Sequence, residues 1–212
     1  MKHKFLQILL LIILFISTFI GPYFSFLNIK IYSEPVSIDI VKGSSNLEIL
    51  NNIFVNPNTL ETIFIKLFLS LNSSSYQSGE YQVGNQSLIE IHNQITLGNT
   101  ITHEITIVPG MNKYDINEIV KDSFLVNDCK FLNCLQSKYE FTEGMILPDT
   151  YYYKKGMQAS IIFRRSSDAL IQYVESIWST KPSSNPLKSV QDSLILASII
   201  AVSYTHLRAH ET

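Results

Sequence analysis

Charge and cysteine are scarce in this sequence. Only 16% of its 212 residues are charged, against 46% hydrophobic, and the formal net charge is −2. Without a basic surplus there is no electrostatic footprint for a nucleic-acid backbone, and no run of acidic residues forms a solvated tail. Nucleic acid is therefore not an expected partner. The two cysteines, Cys129 and Cys134, have no histidines nearby, so neither a zinc site nor a disulfide framework is indicated. The pair reads as two incidental, half-buried thiols, with closure of a small loop in an oxidising compartment as the alternative. No metal or cofactor is implied.

What the sequence does have is one long apolar run. Residues 1–4 form a short basic start carrying Lys2 and Lys4, and residues 5–27 follow without a single charge. As a helix rising about 1.5 Å per residue, that stretch spans the roughly 30 Å hydrocarbon core of a bilayer. The positive charges precede it, which predicts a cytoplasmic amino terminus, a single pass through the inner (plasma) membrane and an extracytoplasmic remainder. A cleaved signal peptide is the competing reading. It requires a shorter apolar core and a small-x-small cleavage site, whereas the run in this chain continues through Gly21-Pro22-Tyr23-Phe24-Ser25-Phe26-Leu27. The pattern favours an uncleaved anchor.

Beyond the anchor the periodicity alternates between strand and helix, which predicts an α+β fold. Val36–Val41 alternates, with Val36, Ile38 and Ile40 on one face. Gly43 breaks it, and Ser44, Ser45 or Asn46 can cap a short helix containing Leu47, Ile49, Leu50 and Ile53. A second helix is predicted from Thr59 or Leu60 to Leu71, a strand over Gly79–Val83, and a helix over Ser87–Leu97 that Gly98 ends. A strand over Ile101–Val108, a turn at Gly110 and a helix from about Lys113 to Leu125 complete this part. Ile40-Val41-Lys42-Gly43 and Ile107-Val108-Pro109-Gly110 each lead into a helix at the same spacing, so a strand, a glycine turn and a capped helix are used twice. Shared turn chemistry explains that much without a true repeat. Residues 36–100 have the strand-helix-helix-strand order of a LysM-like module.

The most informative stretch is Glu143-Gly144-Met145-Ile146-Leu147-Pro148-Asp149-Thr150-Tyr151. Gly144 admits backbone conformations closed to other residues, Pro148 fixes φ, and Asp149 and Thr150 can bond local amides. By themselves these residues describe a turn between a helix and a strand equally well. The stretch resembles, however, the Glu-Gly-x-x-x-Pro-Asp-Thr-Tyr segment of the MltG/YceG-like endolytic murein transglycosylases. Ser78-Gly79-Glu80-Tyr81 is similar to that family's Gly-x-Tyr strand. Glu104–Gly110 is similar to its Thr-Ile-Pro-Glu-Gly turn, although Val108-Pro109-Gly110 lacks the glutamate. Leu196-Ala197-Ser198-Ile199-Ile200 resembles the start of its Ala-Ser-Ile-(Val/Ile)-Glu-Lys-Glu-Thr signature. The resemblance is collinear over residues 1–201 and implies that residues 101–201 are the amino-terminal part of a YceG-like catalytic domain.

In that family the glutamate after Ala-Ser-Ile-Ile is catalytic, and in this chain Ala201 stands in its place. The host helix is well signalled, since Ser189 and Asp192 form a Ser-x-x-Asp capping box ahead of Leu194, Ile195, Leu196 and Ile199. Residues 202–212 match the translation of a transposase sequencing adapter. At that junction only the first G of codon 201 would be genomic, which a glutamate codon shares. The tail is therefore expected to be non-native, and His206, His210 and Glu211 are not read as a zinc site because the His-Glu-x-x-His order is missing. The apolar face of the Ala-Ser-Ile-Ile helix is expected to lack partners.

The resemblance implies a lytic transglycosylase that cleaves peptidoglycan glycan strands within the chain, leaving 1,6-anhydro-muramyl ends. Its partners would be the glycan strands, the membrane and peptidoglycan synthases. Glu143, Asp149 and Tyr151 are the candidate groove residues, by analogy with sugar sites that combine carboxylates with flat rings, and structural roles for them stand beside that reading. With Ala201 in place the chain is expected to be inactive. A membrane-anchored, non-catalytic peptidoglycan-binding protein or a scaffold for the wall-synthesis machinery is the alternative.

Overall fold

The computed structural model describes residues 2–137, 139 and 141–210. The chain is α+β and divides into two compact units, residues 1–101 and 102–212.

The first unit opens with α1 (Lys2–Phe15), a π-helical stretch (Ile16–Ile20) and α2 (Gly21–Asn28). The widened turn precedes Pro22, whose ring removes an amide donor from the helical ladder, and the Thr18 hydroxyl donates back to the Leu14 carbonyl at 2.7 Å. Gln7–Asn28, 22 residues, is long and apolar enough to cross a membrane. Its last turn does not end in open space. Phe26 and Leu27 are buried among the core residues of the same unit, which the reading of residues 5–27 as anchor alone did not anticipate.

That core is built by β1 (Val36–Ile40), α3 (Asn46–Ile53), α4 (Thr59–Leu71), β2 (Gly79–Val83) and α5 (Leu88–Leu97). β1 and β2 pair antiparallel, Val36 opposite Val83 and Ile40 opposite Gly79. Each helix starts where a side chain satisfies its free amides. Ser45 accepts from the Glu48 amide, and Asn58/Glu61 and Ser87/Glu90 form reciprocal capping boxes. Gly98 ends α5 in the left-handed region at φ 69°. Leu50, Ile65, Tyr81, Leu88 and Ile91 fill the centre, with the Tyr81 hydroxyl satisfied by the Gln77 carbonyl at 2.9 Å. Against the same core, buried His92 meets the Phe68 and Tyr76 rings edge-on and bonds the Tyr76 hydroxyl through Nδ1 at 2.9 Å.

The second unit holds β3 (His103–Thr106), α6 (Lys113–Lys121), a short 3₁₀ turn (Lys130–Leu132), β4 (Thr150–Tyr153), α7 (Ala159–Ser179) and α8 (Val190–His210). β3 and β4 pair antiparallel, with Ile105 opposite Tyr151, and one more bond joins the Ile107 amide to the Asp149 carbonyl. β3 is shorter than the expected Ile101–Val108 because its partner offers four residues. α6 likewise stops before Leu125. Ser123 turns its hydroxyl onto the Val120 carbonyl, and the Phe124 amide leaves the ladder for the Tyr153 hydroxyl at 3.2 Å. Both turns read from sequence are present, with Gly43 at φ 96° and Gly110 at φ 88°.

The cysteine reading is corrected. Cys129 and Cys134 form a disulfide with Cα atoms 5.0 Å apart, closing a loop around the 3₁₀ turn. Met1, Lys138, Glu140, Glu211 and Thr212 lie outside the described residues, as do the side chains of residues 2–6 and 204–210. The basic start and the His206/His210/Glu211 pattern are therefore outside what the structure describes.

Candidate active-site cavity

α8 is positioned by its first turn. The Asp192 carboxylate accepts from the Ser189 amide at 2.9 Å, and the Ser189 hydroxyl accepts from the Asp192 amide at 3.1 Å, the capping box expected from sequence. Leu194 is buried, while Ile195, Leu196, Ile199, Ile200 and Val202 are exposed. The helix thus docks by its first turns and leaves an apolar face uncovered.

The Glu143–Gly144 turn meets α8 at Ser198. Gly144 has φ 79°, and a Cβ built there would lie 3.1 Å from the Ser198 Oγ. The backbone conformation favours glycine at this position, and a Cβ would also crowd the Ser198 hydroxyl. Ser198 and Ala201 are three residues apart on one helix and so share a face. Beside this contact lies a cavity of about 470 Å³, within the range of small-molecule sites. Its walls are mostly apolar. The Val108-Pro109-Gly110 turn, Asn112, Glu143, Ser198 and Ala201 all contribute to them. Among the described residues, Glu143 is the one ionisable side chain in the lining.

Glu143 also has a structural partner. Its Oε1 accepts from the Lys113 amide at 3.3 Å, placing the carboxylate at the amino terminus of α6, where a negative charge is stabilised. Asn112 caps the same helix through the Tyr114 and Asp115 amides.

Asp149 and Tyr151 are outside the lining. The Asp149 carboxylate accepts from the Thr150 amide at 2.7 Å on an exposed turn. Tyr151 is 8% exposed, and its hydroxyl bonds the Leu147 carbonyl at 2.5 Å and Ser166 Oγ at 2.6 Å. Ser166 in turn accepts from the Leu147 amide at 2.9 Å. Burial pushes the Tyr151 phenol above its ordinary pKa, so it stays a donor. Through this small network the Pro-Asp-Thr-Tyr segment is fastened to α7. Of the residues read from sequence, the structure brings Glu143 and position 201 together in one cavity and gives Tyr151 a packing role. Ser198 and Asn112 were not singled out. Ser198 stood inside the quoted Ala-Ser-Ile-Ile stretch, but nothing local reveals that a glycine 54 positions earlier would rest on it.

A model of the YceG-like family matches residues 38–203. The chain belongs to the YceG-like family. A solved YceG-like protein from Listeria monocytogenes is 18% identical, with a TM-score of 0.33, over 69% of this chain and 58% of that one. The chain thus spans less than two thirds of that YceG-like protein's length. No curated protein matches the chain.

Proposed function

We propose that this chain is the amino-terminal part of a membrane-anchored lytic transglycosylase that cleaves peptidoglycan glycan strands endolytically, with position 201 the site of its acid/base. The observation that carries the reading is the convergence of the Glu143–Gly144 turn and the Ser198–Ala201 face of α8 on one apolar-walled cavity.

One carboxyl group suffices for this chemistry. A protonated glutamate at 201 donates its proton to the leaving glycosidic oxygen. The muramyl C6 hydroxyl then attacks the anomeric carbon of its own sugar, and the same carboxylate takes the hydroxyl proton. A 1,6-anhydro end forms and no water is consumed. Intramolecular attack gains from high effective concentration, so little further machinery is needed. An apolar lining favours the neutral acid that the first step requires. Glu143 is proposed to contact the glycan from the α6 end of the cavity, with Asp149 at its outer margin and Tyr151 holding the segment. Residues 36–100 are proposed to act as a LysM-like glycan-binding module, and residues 202–212 to be foreign to the protein. Burial of Phe26 and Leu27 supports an anchor that is retained, since removal of the segment through residue 27 would strip the first unit of two core side chains.

The test is to sequence the source locus across codon 201 and assay the encoded protein on purified glycan strands, reading 1,6-anhydro products by mass spectrometry. A glutamate is expected at 201, with its replacement by glutamine lowering the rate at least about 100-fold. If the locus encodes Ala201 followed by Val202–Thr212, the catalytic reading fails. Ala201 would then favour the second reading, a non-catalytic peptidoglycan-binding or scaffold protein of the wall-synthesis machinery.

A further inference from the structure

We infer that α4 is a second membrane contact, its exposed stripe seated at the boundary between lipid headgroups and acyl chains beside the span. The inference rests on Gln7–Asn28 crossing the bilayer, as proposed above.

α4 has more apolar surface than its fold uses. Phe64, Ile65 and Phe68 are buried and fill the core side. Leu60, Ile63, Leu67 and Leu71 recur at intervals of three and four residues, which aligns them in one stripe. They are 55%, 54%, 43% and 69% exposed. A helix on the surface of a water-soluble unit needs one apolar face, and this one carries two adjacent ones.

The span identifies what covers the second face. No linker separates the span from the folded unit, because Phe26 and Leu27 belong to both. The unit is therefore held against the bilayer. The Tyr23 and Phe26 rings each lie 5.5 Å from the Phe64 ring, and Phe26 stacks on Phe54, just before the α3–α4 turn. The uncharged run begins at Phe5, and the 18 residues from there to Tyr23 rise about 27 Å against roughly 30 Å of hydrocarbon. Tyr23 therefore stands at the interfacial level that tyrosine prefers. Phe64 touches it there, and Leu60, Ile63 and Leu67 are its helical neighbours. Exposed Lys66 flanks the stripe and exposed Lys30 follows the span, both placed to reach lipid phosphates while their stems lie along apolar surface.

The full chain reconstituted in phosphatidylcholine vesicles with brominated acyl chains tests this. Trp178 is the single tryptophan, so Trp178→Phe clears the background. Leu67→Trp then reports the stripe, and Phe19→Trp, in a separate protein, reports the span. Blue-shifted emission and loss of most of the signal to bromine are expected for both. If Phe19→Trp is quenched while Leu67→Trp emits as in water, the stripe is not in lipid and the inference falls, with the span intact. Blue-shifted but unquenched emission at Leu67→Trp means that protein, such as a second copy, covers the stripe, which also overturns it. If neither is quenched, the span reading fails as well. Leu60→Trp repeats the measurement on the same stripe should tryptophan at 67 disturb the fold.

Discussion

At the scale of single residues, Gly144 ties the cavity together. Its left-handed backbone and the 3.1 Å approach to Ser198 act together, so Gly144→Ala meets both a backbone penalty and a crowded helix. A left-handed non-glycine residue costs roughly 1–2 kcal/mol. Thermal unfolding of Gly144→Ala is expected to show a loss of that size or more. Adding Ser198→Ala should recover only the part due to crowding. Full recovery would mean that the backbone conformation at 144 is not a constraint. The need for glycine at 144 was legible in the sequence as an expected turn. Its partner was not, because a contact between a turn and a helix 54 residues later leaves no mark on local spacing. Tyr151 shows the opposite limit. A tyrosine beside an aspartate reads as a sugar site, yet its hydroxyl is occupied by Leu147 and Ser166. That bonding comes with burial, and a motif does not encode burial.

At the scale of elements, capping chemistry made most boundaries readable. α4 occupies Thr59–Leu71 and β2 Gly79–Val83, as the spacing of apolar residues and the flanking polar ones indicate. Boundaries set by distant partners were not readable, such as the end of α6, where Phe124 leaves the helix to meet Tyr153. α7 is another case, since Gln158 at its amino terminus supplies no side-chain cap. Asp128, about thirty residues earlier, does that work, accepting from the Ser160 amide at 2.9 Å and the Ser160 hydroxyl at 2.5 Å. Burial works against its charge, but those bonds outweigh it and hold the Asp128 carboxyl below its ordinary range. Asp128→Ala is expected to lower stability by about 1 kcal/mol, as loss of a helix cap does. The sign with pH follows from the depressed value. The contribution is fully present above the ordinary aspartate pKa of about 3.9 and is lost as pH falls through the folded value. Urea titrations of both proteins should therefore converge at low pH. A gap that persists there would exclude the cap as its source.

At the scale of the whole molecule, hydrophobic periodicity indicated the α+β class and one long apolar run the membrane-length helix, while the disulfide ran against what the cysteine count suggested. Two cysteines in 212 residues are too few to signal a framework, and only the 3₁₀ turn that brings their Cα atoms to 5.0 Å reveals the bond. The chain purified without reductant should therefore resist thiol alkylation until unfolded and reduced. Cys129→Ser should destabilise the second unit by about 2 kcal/mol, the low end expected for so short a loop. Alkylation of the native protein before reduction would refute the pairing.

The buried end of the α1–α2 helix has a mechanical consequence. A folded unit can hang from a flexible leader, and its reach is then a distribution set by the length of the leader. In this chain Phe26 and Leu27 are simultaneously the last turn of the apolar helix and part of a folded core. The first unit therefore rides on a stiff mast with no slack. When the helix tilts the unit must tilt with it, and when the helix turns about its own axis the unit turns too. If the helix spans the bilayer as proposed, a change in bilayer thickness, which alters the tilt of such a helix, would reorient residues 36–101 relative to the membrane without breaking a single contact inside them.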